Sequence, residues 1–402
     1  MSLCVSIGIS CFVDPGPVAG DSQGMGATSS SGTATAATTS TSSGEGTSSS
    51  GDMGCDGDDT CPLGDVCVDG LCEPVACEPY TRLKDYEEPA VMLLIDKSRS
   101  MVLNTWDHDG LAETPEETRW KTLHRTIIAI GEGSEQSFDF GLKLFPDAGV
   151  PNVYGPAACA VRQDPDIVLA QGASGLLATT LPSAEATPMD GVIAGGTPAT
   201  QAILVGVSHL KGLAASERSR FILMVTDGSA NCQVDAADDA ERFESYDMGV
   251  IDAAKEAVAS GVEVAVVGLE ISNIANTTEA DGKPDSVVPT MKLRDLAEAG
   301  GLPPIDGQDF VNAVGEDSLA DGLRALLQVM SCTITVTPPK GGAQLTALSI
   351  GGEKFGSFPV KECLEADGFA DLGGGRLRLC GGACSFYLGA LSVELHYECV
   401  GE

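Results

Sequence analysis

The chain has 402 residues, more than one hydrophobic core usually serves, so a main domain with one or two smaller appendages is expected. Its 58 acidic against 23 basic residues leave a formal net charge of -35, which repels DNA, RNA and anionic membrane surfaces and leaves protein, carbohydrate or cation as partners. Fourteen cysteines, with neither a zinc-ribbon spacing nor a C-x-x-C pair, indicate an oxidising compartment, and no run approaches the roughly 18 apolar residues that span a bilayer.

Residues 1–17 read as the remnant of a secretion signal, a short apolar run meeting small residues and a cysteine. Gly8-Ile9-Ser10-Cys11 resembles a bacterial lipoprotein cleavage box, with Gly8 where that family usually has Leu, which makes Cys11 a candidate lipidation site and the chain's one route to a membrane. Residues 18–53 are almost wholly Ser, Thr, Gly and Ala and cannot bury enough apolar surface to offset chain entropy, so a flexible stalk is expected there. In residues 54–77, Cys55, Cys61, Cys67, Cys72 and Cys77 are separated by four or five residues rich in Asp and Gly, the pattern of a small disulfide knot. Its acids, Asp56, Asp58, Asp59, Asp65 and Asp69, lack the spacing and closing Glu of an EF-hand and read as turn residues. Five is odd, so one cysteine, most plausibly Cys77, pairs outside the knot.

Residues 86–331 alternate apolar runs with amphipathic stretches. AVMLLID, SFDFGLKLF, RFILMVTDG, VEVAVVGLE and DFVNAV read as strands, the strongest of them continuous aliphatic runs rather than period-2 patterns. TRWKTLHRTIIAIGEG, TPATQAILVGVSHLKGL, YDMGVIDAAKEAVASG, TMKLRDLAEAGG and SLADGLRALLQVM read as the intervening helices. The expected fold class is α/β, a doubly wound and mostly parallel sheet covered on both faces. Residues 332–402 switch to short alternating segments with Cys363, Cys380, Cys384 and Cys399, a small β-rich tail.

The chemistry concentrates at strand ends. AVMLLID closes on Asp96-Lys97-Ser98-Arg99-Ser100, RFILMV closes on Thr226-Asp227-Gly228, and Gly195-Gly196-Thr197 opens a helix between them. In an open α/β sheet these loops share the carboxyl edge, where ligands bind. Oxygen donors without His or Cys suit magnesium, manganese or calcium and poorly suit zinc. If the neutral hydroxyls of Ser98, Ser100 and Thr197 ligate directly, the ion keeps much of its charge and an open position that an incoming carboxylate would fill.

The D-x-S-x-S at Asp96 to Ser100, with the later Thr197 and Asp227, resembles the metal-ion-dependent adhesion site of von Willebrand factor type A domains, over roughly residues 89–330. The layout also resembles secreted bacterial lipoproteins of the myxobacterial type that carry such domains. The resemblance implies magnesium, with manganese or calcium as substitutes, held by Asp96, Ser98, Ser100, Thr197 and Asp227. It further implies adhesion to a protein partner presenting an acidic residue, at the cell surface. The competing expectation is a structural or assembly component of an envelope complex whose ion only stabilises the fold. Enzyme activity is not expected: His108, His124, His209 and His396 lie in no ligand spacing, and neither a nucleophile elbow nor a phosphate-binding loop is present. Trp106 and Asp107, just past the first loop, either pack or shape a ligand surface. For the cysteines, sequence leaves connectivity open; Cys159–Cys232 would brace the metal edge and Cys77–Cys332 would clamp the domain's ends.

Overall fold

The computed structural model describes residues 65–68, 71–74 and 79–399, less short stretches at 135–136, 154, 214–217, 279, 303–306, 338–342, 361–362, 364–365 and 391. Cys11, residues 18–53 where a stalk is expected, Cys55, Cys61 and Cys77 lie outside the described residues. Asp65–Val68 and Leu71–Pro74 pair as an antiparallel hairpin.

The main sheet is built from β2 (Ala90–Asp96), β3 (Asp139–Phe145), β4 (Ile167–Ala170), β5 (Arg220–Thr226), β6 (Val262–Leu269) and β7 (Val311–Ala313), in the order β7-β6-β5-β2-β3-β4. The first five are parallel, while β4 closes the edge antiparallel to β3. Every residue of β2 and β6 is buried, because helices cover both faces and neither face can be polar. Val91, Leu93 and Ile95 pack with Trp120 and Leu123 of α1 (Arg119–Gly133) and Leu319 and Leu323 of the long helix Glu316–Ser331. Met92 and Leu94, pointing the other way, pack with Ile203 of α2 (Ala199–Lys211), Val250 of α3 (Gly249–Ala259) and Leu293 of α4 (Pro289–Gly300). From β2 the chain moves outward to β3 and β4, then returns to the opposite side of β2 as β5. Strand order thus reverses between β2 and β5, which opens a crevice at their carboxyl ends.

The chain as a whole is mixed rather than mostly parallel. After α5 (Glu316–Ser331) it builds a second sheet from β8 (Thr333–Thr335), β9 (Ala343–Ile350), β10 (Glu353–Ser357), β11 (Gly368–Gly373), β12 (Arg376–Cys380) and β13 (Ser392–Cys399), antiparallel except where β10 meets β11. Its seventh strand is β1 (Tyr80–Asp85), which precedes the main sheet in sequence and pairs with β13. The tail beginning at residue 332 therefore takes an edge strand from far upstream. Helix α6 (Gly382–Ala390) covers this sheet's own core, which includes Leu348, Phe369, Leu379, Tyr387 and Leu395. The second sheet meets the amino-terminal edge of the first: Ser219 donates its hydroxyl to the Thr333 carbonyl at 2.8 Å, and Arg376 pairs with Glu263 at 2.8 Å.

Cys159 is bonded to Cys232, Cys363 to Cys380 and Cys332 to Cys384. The last bond corrects the expected Cys77–Cys332 clamp. Cys332 follows α5 and leads into β8, so its side chain faces the helix that covers β8's own sheet, where Cys384 stands at a Cα separation of 5.2 Å. Cys399 is also disulfide-bonded. These bridges fit an oxidising compartment. Among the described residues, no helix is long and apolar enough to cross a membrane. Thiol counting on denatured, unreduced protein is expected to find no free thiol among Cys159, Cys232, Cys332, Cys363, Cys380, Cys384 and Cys399; labelling of any of them by a thiol reagent would contradict these pairings.

Candidate metal centre

Asp96 is the last residue of β2 and is fully buried. Its Oδ1 accepts the Ser98 N–H at 2.7 Å and its Oδ2 accepts the Thr226 hydroxyl at 2.6 Å, so the neighbouring strand end orients it. Asp227, one residue past β5, accepts the Ser100 hydroxyl on Oδ1 at 2.6 Å, and the Ser98 and Ser100 hydroxyls are 2.9 Å apart. Burial, and after it the charge of Asp227, pushes the Asp96 carboxyl up to about 7 against its hydrogen bonds from Thr226 and Ser98. Two carboxyls and two hydroxyls converge in a place that disfavours negative charge, which is the chemical setting a divalent cation relieves.

Thr197 arrives on the Gly195–Thr197 loop, which is fixed from three sides. The Arg99 N–H donates to the Gly195 carbonyl at 3.1 Å and the Ala194 N–H to the Lys97 carbonyl at 3.0 Å, stitching it to the first loop. On the other side the Thr197 N–H donates to Asn231 Oδ1 at 2.7 Å, and the Asn231 N–H returns to the Thr197 carbonyl at 3.3 Å. Beneath, the Gly196 N–H donates to the Ala158 carbonyl at 3.1 Å, next to the Cys159–Cys232 bridge. Both glycines are required here. Gly195 has φ +89°, and a Cβ on Gly196 would lie 2.7 Å from Cys232 Sγ and 2.9 Å from the Phe243 ring. Gly196→Ala must therefore displace either the bridge or the loop that carries Thr197. We expect divalent-cation affinity to fall about tenfold in calorimetry, the scale of disturbed ligand orientation; an unchanged affinity would show that the loop does not set the site.

Ser98, Ser100, Thr197 and Asp227 line one cavity of about 410 Å3, with Asp96 behind them. All five residues singled out in the sequence are thus gathered at the carboxyl edge, and their hard oxygen donors fit magnesium, manganese or calcium. Among the described residues, no cluster of three or more His, Cys, Asp or Glu could hold a metal instead. Four further residues join the site without any signal in their local sequence. Asn104 Nδ2 donates to Asp227 Oδ2 at 3.1 Å, and Arg119, the first residue of α1, reaches the same oxygen at 3.2 Å and Glu270 at 2.7 Å. Asn231 is the fourth; its Nδ2 also donates to the Gly282 carbonyl at 2.8 Å, linking the long loop after β6.

Residues outside the site have structural roles. Trp106 is buried and donates its indole N–H to the Thr122 hydroxyl at 3.1 Å, so it packs, whereas Asp107 is exposed and accepts the Gly110 N–H in a turn outside the cavity lining. His209 accepts the Leu169 N–H at 3.3 Å, His124 lies edge-on to Trp120, and His396 sits between Thr81 and Ser349 on the second sheet.

No family model matches the chain, and no curated protein matches it. Solved structures that resemble it include BatB from Bacteroides thetaiotaomicron, at 16% identity and a TM-score of 0.36, covering 59% of this chain and 97% of that one. The manganese-loaded TRAP protein of Plasmodium vivax aligns at 13% identity and a TM-score of 0.36, over 62% of this chain and 77% of that one. Proximal thread matrix protein 1 of the mussel byssus, solved with zinc in its metal-ion-dependent adhesion site, aligns at 12% identity and a TM-score of 0.35 over 63% of this chain, which spans 50% of that protein's length.

Proposed function

We propose that the chain carries a von Willebrand factor type A domain that binds one divalent cation at the carboxyl edge of its main sheet and, through it, a protein partner presenting an acidic group. The observation that carries this reading is the gathering of Asp96, Ser98, Ser100, Thr197 and Asp227 from three loops around one cavity. Magnesium is the first choice, with manganese or calcium as substitutes. A bound cation would supply positive charge with an open coordination position. The chain's own residues do the rest: Asp96 and Thr226 fix the first loop, Asn231 fixes Thr197, and the exposed Leu103 and Val153 give the cavity an apolar rim suited to a protein surface. The net charge of -35 argues against nucleic acid. Location at the cell surface, tethered through Cys11, belongs to the same reading.

A second reading has its own observation. Asp96 is fully buried beside the charge of Asp227, so an ion that relieves their repulsion would have the fold as its whole role. The two readings separate in a pull-down of cell-envelope extract on the immobilised full chain. Under the first, bound protein elutes in chelator while the melting temperature changes by only a few degrees, and Thr197→Ala weakens capture about tenfold with little loss of stability. Equal capture in magnesium and in chelator would replace the first reading with the second.

A further inference from the structure

The D-x-S-x-S turn carries two cations, and the fold treats them oppositely. Lys97 is buried, donates to the Asp147 carbonyl at 2.7 Å, and is pulled down to about 8 by that burial. Arg99 is exposed, lines the same cavity as Ser98, Ser100, Thr197 and Asp227, and makes no side-chain hydrogen bond or ion pair among the described residues. Only its backbone is held, by the Gly195 carbonyl. The other cations of the cavity wall are engaged: Arg119 lies between Asp227 and Glu270, and Lys283 pairs with Asp281 at 3.3 Å. In a chain with 58 acids and 23 bases, an unengaged guanidinium beside a ligand cavity is informative.

The local charge count sharpens this. Around the wall Arg99, Arg119 and Lys283 balance Asp227, Glu270 and Asp281, and behind it Asp96 and Lys97 offset one another. A dication would leave the loaded site two charges positive, and without Arg99 one. Arg99 thus supplies half of the positive excess that draws an acidic group to an otherwise strongly acidic chain.

We propose that Arg99 is a second anchor, so that the site selects a peptide segment with two neighbouring carboxylates, one directed to the bound cation and the other to the Arg99 guanidinium. This rests on the reading of the site as a cation-dependent protein-binding centre. A planar guanidinium takes a carboxylate through two parallel N–H donors, which a lone cation does not reproduce. The same charge opposes the incoming dication, so removing it acts in opposite directions on metal and on peptide. A merely structural role for Arg99 would move both the same way.

The test uses the full chain and three probes: manganese alone, and two terminally blocked peptides, Gly-Asp-Gly and Gly-Asp-Asp-Gly, in saturating magnesium. Wild type is expected to prefer the two-acid peptide about fivefold, the scale of one exposed ion pair. Arg99→Ser is expected to lose that preference while binding manganese as tightly as wild type or about twofold tighter, and Arg99→Lys to keep part of it. Equal affinity of wild type for the two peptides, or a preference that survives Arg99→Ser, overturns the proposal. If manganese binds but neither peptide does, the partner reading beneath it fails as well. If manganese does not bind, the metal centre itself is wrong.

Discussion

Asp96→Ala is expected to abolish divalent-cation binding, lowering manganese affinity by at least about 100-fold in calorimetry, since loss of a supporting residue alone costs about 10- to 100-fold. The carboxylate is central: it is fully buried, held by Ser98 and Thr226, and sits against Asp227 on the adjacent strand end. The apoprotein should respond with the opposite sign. Without an ion, Asp96 and Asp227 disfavour one another's charge, so Asp96→Asn is expected to leave the melting temperature in chelator unchanged or higher, while the stabilisation that manganese gives wild type disappears. Unchanged stoichiometry and affinity in Asp96→Ala would remove this site altogether.

The second large effect is expected far from the metal. Glu263, near the start of β6, is buried; its Oε1 pairs with Arg376 at 2.8 Å and its Oε2 lies 3.9 Å from Arg378, both arginines belonging to β12 of the second sheet. Burial raises the Glu263 carboxyl, against the two arginines that lower it, and burial pulls the Arg378 guanidinium down to about 10. Such a cluster adds little net stability, but removal of its single anion leaves a buried arginine without its charge partner. Glu263→Ala is expected to lower unfolding free energy by about 3–5 kcal/mol in urea titration. Trp106 and Trp120, both in the main-sheet core, would report the transition. A loss under about 1 kcal/mol would show that the two sheets are held together by other contacts, such as Ser219 with Thr333.

The parts legible in sequence were those whose burial is one-sided in kind. β2, β5 and β6 are aliphatic throughout because helices cover both faces, and Asp96 and Asp227 stand where those runs stop. β4 gives no clear strand signal because Ile-Val-Leu-Ala is four residues at an edge. β1 gives no strand signal because Tyr80–Asp85 buries little more than Lys84, and its partner β13 lies more than 300 residues away. The pairing of Cys332 depends on α6, a nine-residue helix within a tail whose sequence reads as β-rich. Asn104, Arg119 and Glu270 reach Asp227 or each other only because the first loop, α1 and the end of β6 meet at the switch point, and no local pattern encodes such a meeting.

The placement of β1 sets how the molecule would carry load. The chain passes from Tyr80–Asp85 directly into β2 and from β2 into the Asp96 turn, so tension between the upstream chain and a ligand held at the cation follows one short covalent path, residues 80–96. β2 is the strand best placed to bear it, registered along seven residues of β3 on one side and six of β5 on the other. Slipping it out would shear both ladders at once rather than peel them bond by bond. β1 lies on that path too and would load its six-residue ladder with β13 in the second sheet, whereas α2 and α3 lie off it.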